Sequence, residues 1–110
     1  MNKIILEIYN ITKRYPNEEQ GFTGMVSQLR RASISAISNL AEGSSRKDRE
    51  FLHFLSLSLG SLREVETQLE VSKDLGYVDS VTYERINEQI DECIGRLFNY
   101  MKKISKSVDK

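Results

Sequence analysis

Three features of this sequence predict an all-α fold, an antiparallel up-down-up-down four-helix bundle. Apolar residues recur at three- and four-residue steps through four successive segments. The single proline and three of the six glycines, Gly21, Gly43 and Gly76, fall at or between segment ends. No strand signal competes with those four segments. Short connections join antiparallel neighbours, which gives the up-and-down order, and 110 residues suffice for one core and one domain spanning 1–110.

The first segment, about Asn2 to Tyr15, repeats Ile4, Ile5, Ile8, Ile11 and Tyr15 on one face. Pro16 ends it, because the residue before a proline is driven out of the helical region. A polar connection, 16–21, follows. The second segment, about Phe22 to Glu42, carries Met25, Leu29, Ala32, Ala36 and Leu40 on one stripe and Val26, Ser33, Ile37 and Ala41 beside it. Gly43 is expected to stop it in a left-handed cap. Ser45 and Asp48 have the spacing of a capping box for the third segment, about Arg46 to Leu75, which should be the longest. Phe51, Leu55, Leu59, Leu62, Val65 and Leu69 line one face, and Leu52, Phe54 and Leu57 widen it enough to touch more than one neighbour. Gly76 caps that helix and Asp79 starts the fourth, which runs to about Lys106 with Tyr83, Ile86, Ile90, Cys93, Leu97, Met101 and Ile104 inward.

Sixteen basic and sixteen acidic residues cancel to a net charge of 0, which excludes a chain that coats nucleic acid by bulk charge. No apolar run approaches the roughly 20 residues needed to span a bilayer. Glu7 interrupts the opening Met1–Leu6 stretch before it can act as a signal, so a soluble, cytoplasmic protein is expected, with no membrane partner. A lone cysteine, Cys93, can form neither a disulfide nor a metal knuckle within the chain and is expected to be buried.

The strings RRASISAISNLAEG and SLGSLREVETQLEVSKDLGY, with the helix-ending RYP ahead of an acidic turn, resemble the 23S rRNA intervening-sequence proteins, formerly labelled S23 ribosomal proteins. The resemblance covers nearly the whole chain. It implies a four-helix bundle that assembles into a ring-like homo-oligomer, a pentamer. It also suggests contact with RNA or DNA, since relatives include the accessory variability determinant proteins of diversity-generating retroelements. The chain departs from that pattern in three respects: a short first helix, a turn after Gly43 one residue shorter than usual, and a neutral rather than strongly basic charge.

Polar side chains embedded in the helical stripes are the first candidate site. Arg31, Ser35, Asn39 and Glu42 recur at steps of four, four and three, and a hairpin of helices two and three would set them opposite Gly60, Ser61, Glu64 and Gln68. Buried polar groups need partners, so Arg31, Asn39, Glu42, Ser61, Glu64 and Gln68 read as a hydrogen-bonded seam that fixes register, or alternatively as a small-ligand pocket. Gly60 would mark a close helix crossing. The second candidate is basic: Arg46, Lys47 and Arg49, with Arg30 near in sequence, and the tail bearing Arg96, Lys102, Lys103, Lys106 and Lys110, which could contact phosphates or remain a solvated surface. Five scattered tyrosines offer stacking faces or plain packing. His53 is the only histidine, and with Glu50 it makes a single Glu-x-x-His where a di-iron bundle needs two. No catalytic residue, metal or cofactor is therefore expected. The expected role is non-enzymatic: a homo-oligomeric structural or accessory factor contacting RNA or DNA, or alternatively a protein-interaction scaffold.

Overall fold

The computed structural model describes residues 1–108, so Lys110 of the basic tail lies outside the described residues. Four helices form: α1 (Asn2–Thr12), α2 (Met25–Ser44), α3 (Asp48–Asp74) and α4 (Ser80–Val108), with a single 3-10 turn at Asn17–Glu19. There is no strand among the described residues. Contacts run α1–α2, α2–α3, α3–α4 and α4–α1, which closes a four-helix bundle with α1 diagonal to α3. Ser72, Gln68, Ser61 and Ser58 of α3 bond in turn to Met25, Gln28, Ser35 and Ala36 of α2, so those two helices are antiparallel. Phe51 meets Tyr100 and Lys73 lies over Tyr83, so α3 and α4 are antiparallel as well.

The core sits where the predicted stripes converge. Ile8, Leu29, Ala36, Leu55, Leu62, Val65, Leu69, Ile86 and Ile90 have essentially no exposed surface, and each large side chain so removed from water contributes about 1.5–3 kcal/mol. Ile94 belongs to this core and was not on the predicted stripe, while Ala41, which was, faces solvent. Cys93 is half-buried rather than enclosed. The longest helix is α4 at 29 residues, against 27 for α3. At about 1.5 Å per residue α1 covers only about 16 Å, much less than the 51 Å long axis of the molecule.

The caps divide into two groups. Gly76 adopts φ +83° and ends α3 as predicted, with the Gly76 and Tyr77 amides donating to the Lys73 and Ser72 carbonyls at 2.9 Å. Asp79 caps α4, its Oδ1 accepting the Thr82 amide at 2.8 Å. Gly43 does not stop α2: it lies inside the helix with no left-handed backbone, and the chain needs glycine there for space. A Cβ at Gly43 would stand 2.6 Å from Phe54 Cβ and 2.9 Å from the Phe51 ring. Nor is there a capping box at α3, where Lys47 holds the cap position and the Ser45 hydroxyl donates back to the Glu42 carbonyl at 3.0 Å. Gly60 is exposed, and a Cβ placed on it would have nothing within 4 Å, so no helix crosses closely there.

The α1–α2 connection is a compact hydrogen-bonded plug. Gln20 Nε2 donates to the Thr12 and Tyr15 carbonyls at 2.9 and 3.0 Å, satisfying the end of α1. Glu19 accepts from the Met25 amide at the start of α2 and from the Tyr77 hydroxyl at 3.1 Å. A Cβ on Gly24 would collide with the Glu19 backbone carbonyl. The Tyr15 ring packs against Tyr77 with centroids 5.2 Å apart, and burial raises the Tyr15 hydroxyl above the usual phenol range. Sequence periodicity carried helix one through Tyr15; the tyrosine is buried, but from this connection rather than from the helix.

Candidate functional site

Between α2 and α3 the polar seam forms in part. Asn39 Nδ2 donates to the Ser35 carbonyl and hydroxyl at 2.9 and 3.1 Å, and the Ser61 hydroxyl reaches Ser35 Oγ at 3.1 Å. Gln68 donates to Gln28 and to Glu64 of its own helix at 3.4 and 3.3 Å. Arg31 and Glu42 do not join. The Arg31 guanidinium turns to the Phe22 carbonyl at 3.1 Å and lies over the Phe22 ring, whereas Glu42 pairs with Arg46. The reason is helical pitch: at 100° per residue, a step of four advances about 40°, so Arg31 and Asn39 differ by about 80° around α2. Asn39 is half-buried beside Ser35, whose hydroxyl meets Ser61 of α3, while Arg31 faces solvent. Ser35, Asn39 and Ser61 hydrogen-bond to one another, and none of them lines the apolar cleft bounded by Phe51, Leu55, Leu97 and Tyr100.

Arg30 belongs neither to the seam nor to the basic group following Gly43. Its guanidinium bonds Thr12 Oγ1 at 3.0 Å and the Tyr9 carbonyl at 3.3 Å, and it stacks 4.5 Å from the centre of the Tyr9 ring. It thereby fastens α1 to α2. Phe22, 81% exposed, and the half-exposed Ile34 flank this arginine-aromatic surface.

The basic residues gather at the opposite end. Because α3 and α4 are antiparallel, the start of α3 lies beside the last third of α4, and the Phe51 and Tyr100 rings mark the junction with centroids 5.6 Å apart. Lys47 and Arg49 on one side and Lys102, Lys103 and Lys106 on the other are all exposed. None makes an ion pair among the described residues. Arg46 is different: Glu42 and Glu50, four residues to either side, hold it, and its guanidinium lies over the Phe54 ring. Both neighbours raise its pKa further, so it stays charged but locally neutralised.

Beside that basic end lies an apolar cleft of about 750 Å³. Ile37, Leu40, Phe51, Leu55 and Leu97 supply its apolar wall. Lys3, Arg96 and Tyr100 also line it, exposed or half-exposed, and no carboxylate does. Met1, Asn2 and Lys3 border the cleft together with Ile37 of α2, Leu55 of α3 and Leu97 of α4. Sequence spacing counted Arg96 among the basic tail but offered no reason to join Lys3 to it; only the pairing of α1 with α4 does. No group of three or more histidine, cysteine, aspartate or glutamate side chains suitable for a metal ion is present among the described residues. No helix among them is long and apolar enough to cross a membrane.

A family model described as 23S rRNA-intervening sequence protein matches residues 1–99. The chain is also similar to a crystal structure from Bacteroides thetaiotaomicron VPI-5482, described as a protein with unknown function from the S23 ribosomal protein family. The two share 27% identity and a TM-score of 0.81 over 91% of this chain and 93% of the other. No curated protein is significantly similar to the chain.

Proposed function

Since the chain belongs to the 23S rRNA-intervening sequence protein family, we propose that it is a non-enzymatic accessory factor that self-assembles into a ring-like homo-oligomer, a pentamer, and contacts RNA or DNA through its basic end. The observation that carries the nucleic-acid reading is the convergence of Lys47, Arg49, Lys102, Lys103 and Lys106 on one end of the bundle, free of ion pairs among the described residues. Each such side chain can release a counterion from a phosphate, which makes binding steeply salt-dependent even for a chain with no net charge. Self-assembly is supported by large apolar side chains left in water at separate places on the bundle, Leu6 of α1, Phe22 before α2, Leu75 after α3 and Val81 of α4 being 54–81% exposed. Apolar residues spread over different faces suit a head-to-tail contact that closes into a ring. The polar seam serves in this reading as a register device between α2 and α3, and the protein works in the cytoplasm.

A protein-interaction scaffold without nucleic-acid affinity is the second reading. It is favoured by the carboxylates Glu42, Asp48 and Glu50 around the same end, which give it mixed sign. Titration of labelled structured RNA and duplex DNA with the purified protein, at low and near-physiological salt, separates the two, with the solution mass determined alongside. A defined oligomer with salt-sensitive binding supports the accessory role. Absence of binding at low salt removes it and leaves the scaffold.

A further inference from the structure

The basic end and the apolar cleft adjoin each other, and that juxtaposition has chemical content. Phosphate contacts alone are indifferent to whether the bases are paired. An aromatic-lined apolar cleft beside them is not, because it offers a face on which an unpaired base can stack after leaving water. Tyr100 is 49% exposed, its ring is held edge-on by Phe51, and both line the cleft. The volume, about 750 Å³, falls within the range of roughly 300–1,000 Å³ typical of small-ligand pockets. Its charged lining is cationic only: Lys3 and Arg96, neither in an ion pair among the described residues. An occupant with an apolar, stackable face and a flanking anion satisfies both halves of that description.

We infer that the cleft bounded by Phe51, Leu55, Leu97 and Tyr100 receives an unpaired base of a single-stranded nucleic acid, with Lys3, Arg96 and the lysines of α4 on the adjoining phosphates. Bases in a duplex are paired and stacked on each other and cannot enter. The inference rests on the nucleic-acid contact proposed above and deepens it from polyanion binding to single-strand preference. A sugar hydroxyl is not needed for stacking, so RNA and DNA strands share the required chemistry.

The test measures binding of labelled 12-nucleotide single strands of RNA and of DNA, and of a blunt duplex of the same length, to the full chain. Wild type, Tyr100→Ala, Tyr100→Phe and Ser44→Glu are compared, with helicity and solution mass checked for each. Ser44 is exposed and lines the cleft, so a negative charge there acts on occupancy without touching the core. The expected result is tighter binding of single strands than of duplex. Tyr100→Ala should weaken single-strand binding by about 5-fold or more while leaving duplex binding unchanged, Ser44→Glu should weaken single-strand binding more than duplex binding, and Tyr100→Phe should retain it. Equal affinity for strand and duplex, unmoved by Tyr100→Ala and Ser44→Glu, overturns the inference but leaves the phosphate-binding role standing. Loss of the oligomer in Tyr100→Ala also overturns it, by assigning the cleft to a second copy of the chain. Failure of the wild type to bind any of the three probes overturns the nucleic-acid role as a whole.

Discussion

Gly43 and Gly60 are both helical glycines, and their surroundings give them opposite consequences. At Gly43 a methyl group would stand 2.6 Å from Phe54 Cβ. Overpacking of this kind costs about 1–3 kcal/mol, against a gain of up to about 1 kcal/mol in helix propensity. Gly43→Ala is therefore expected to lower stability, by about 1 kcal/mol or more, in urea unfolding. Gly60 has open space around it, so in the isolated subunit Gly60→Ala is expected to raise stability by about 0.5–1 kcal/mol. Glu66 gives a residue-scale pH effect. Burial is the main cause holding its pKa above the ordinary carboxylate range, with the neighbouring Asp91 of α4 adding to it and Arg63 opposing. The folded chain thus binds this proton more tightly than the unfolded chain, and stability rises as pH falls from neutral through the raised Glu66 pKa. Asp79 has the reverse sign, because the Thr82 amide holds its pKa low and the cap is lost only as pH falls through that depressed value. Thermal midpoints of wild type are expected to increase on mild acidification and then fall in stronger acid, and Glu66→Gln is expected to flatten the first limb.

At the scale of helices and connections, the carboxylate of Glu19 joins three parts of the chain. It receives the first amide of α2 and the hydroxyl of Tyr77, and its backbone packs against Gly24. Removal leaves both donors without their partner, so Glu19→Ala is expected to cost about 1–2 kcal/mol, seen as a lower urea midpoint with an unchanged slope. Nothing local in the sequence announces this role. The spacing of Ser45 and Asp48 suggests a cap that does not form, whereas Glu19 caps a helix that begins six residues later, through a fold-back at Gly21–Gly24. By contrast, Gly76 and Asp79 were legible because a left-handed glycine and an Asx cap act within one turn of chain. The apolar stripes were legible for the same reason that they pack: a period near 3.6 holds Leu55, Leu62 and Leu69 on one line. Arg31 and Glu42 were drawn into the seam by steps of three and four, which conceal the angular drift that turns them to solvent.

For the whole molecule, topology turns a neutral composition into an uneven surface. The antiparallel pairing of α3 with α4 places Lys47 and Arg49 at the same end of the bundle as Lys102, Lys103 and Lys106. Charge balance conceals that gathering in the sequence, and an apolar cleft lies next to it. The cleft was not legible as a site because its lining comes from all four helices, and no stretch of chain holds more than three of its residues in a row. If the basic end carries binding, its lysines must appear in the salt dependence and not merely in the affinity. The most direct measurement is the slope of log affinity against log salt for a single-stranded RNA, for wild type and for Lys102→Ala/Lys103→Ala. A steep wild-type slope is expected, becoming shallower by about 1.4 in the double variant, at about 0.7 for each phosphate left without its lysine. A slope near zero in the wild type, or one that the double variant leaves unchanged, would contradict it.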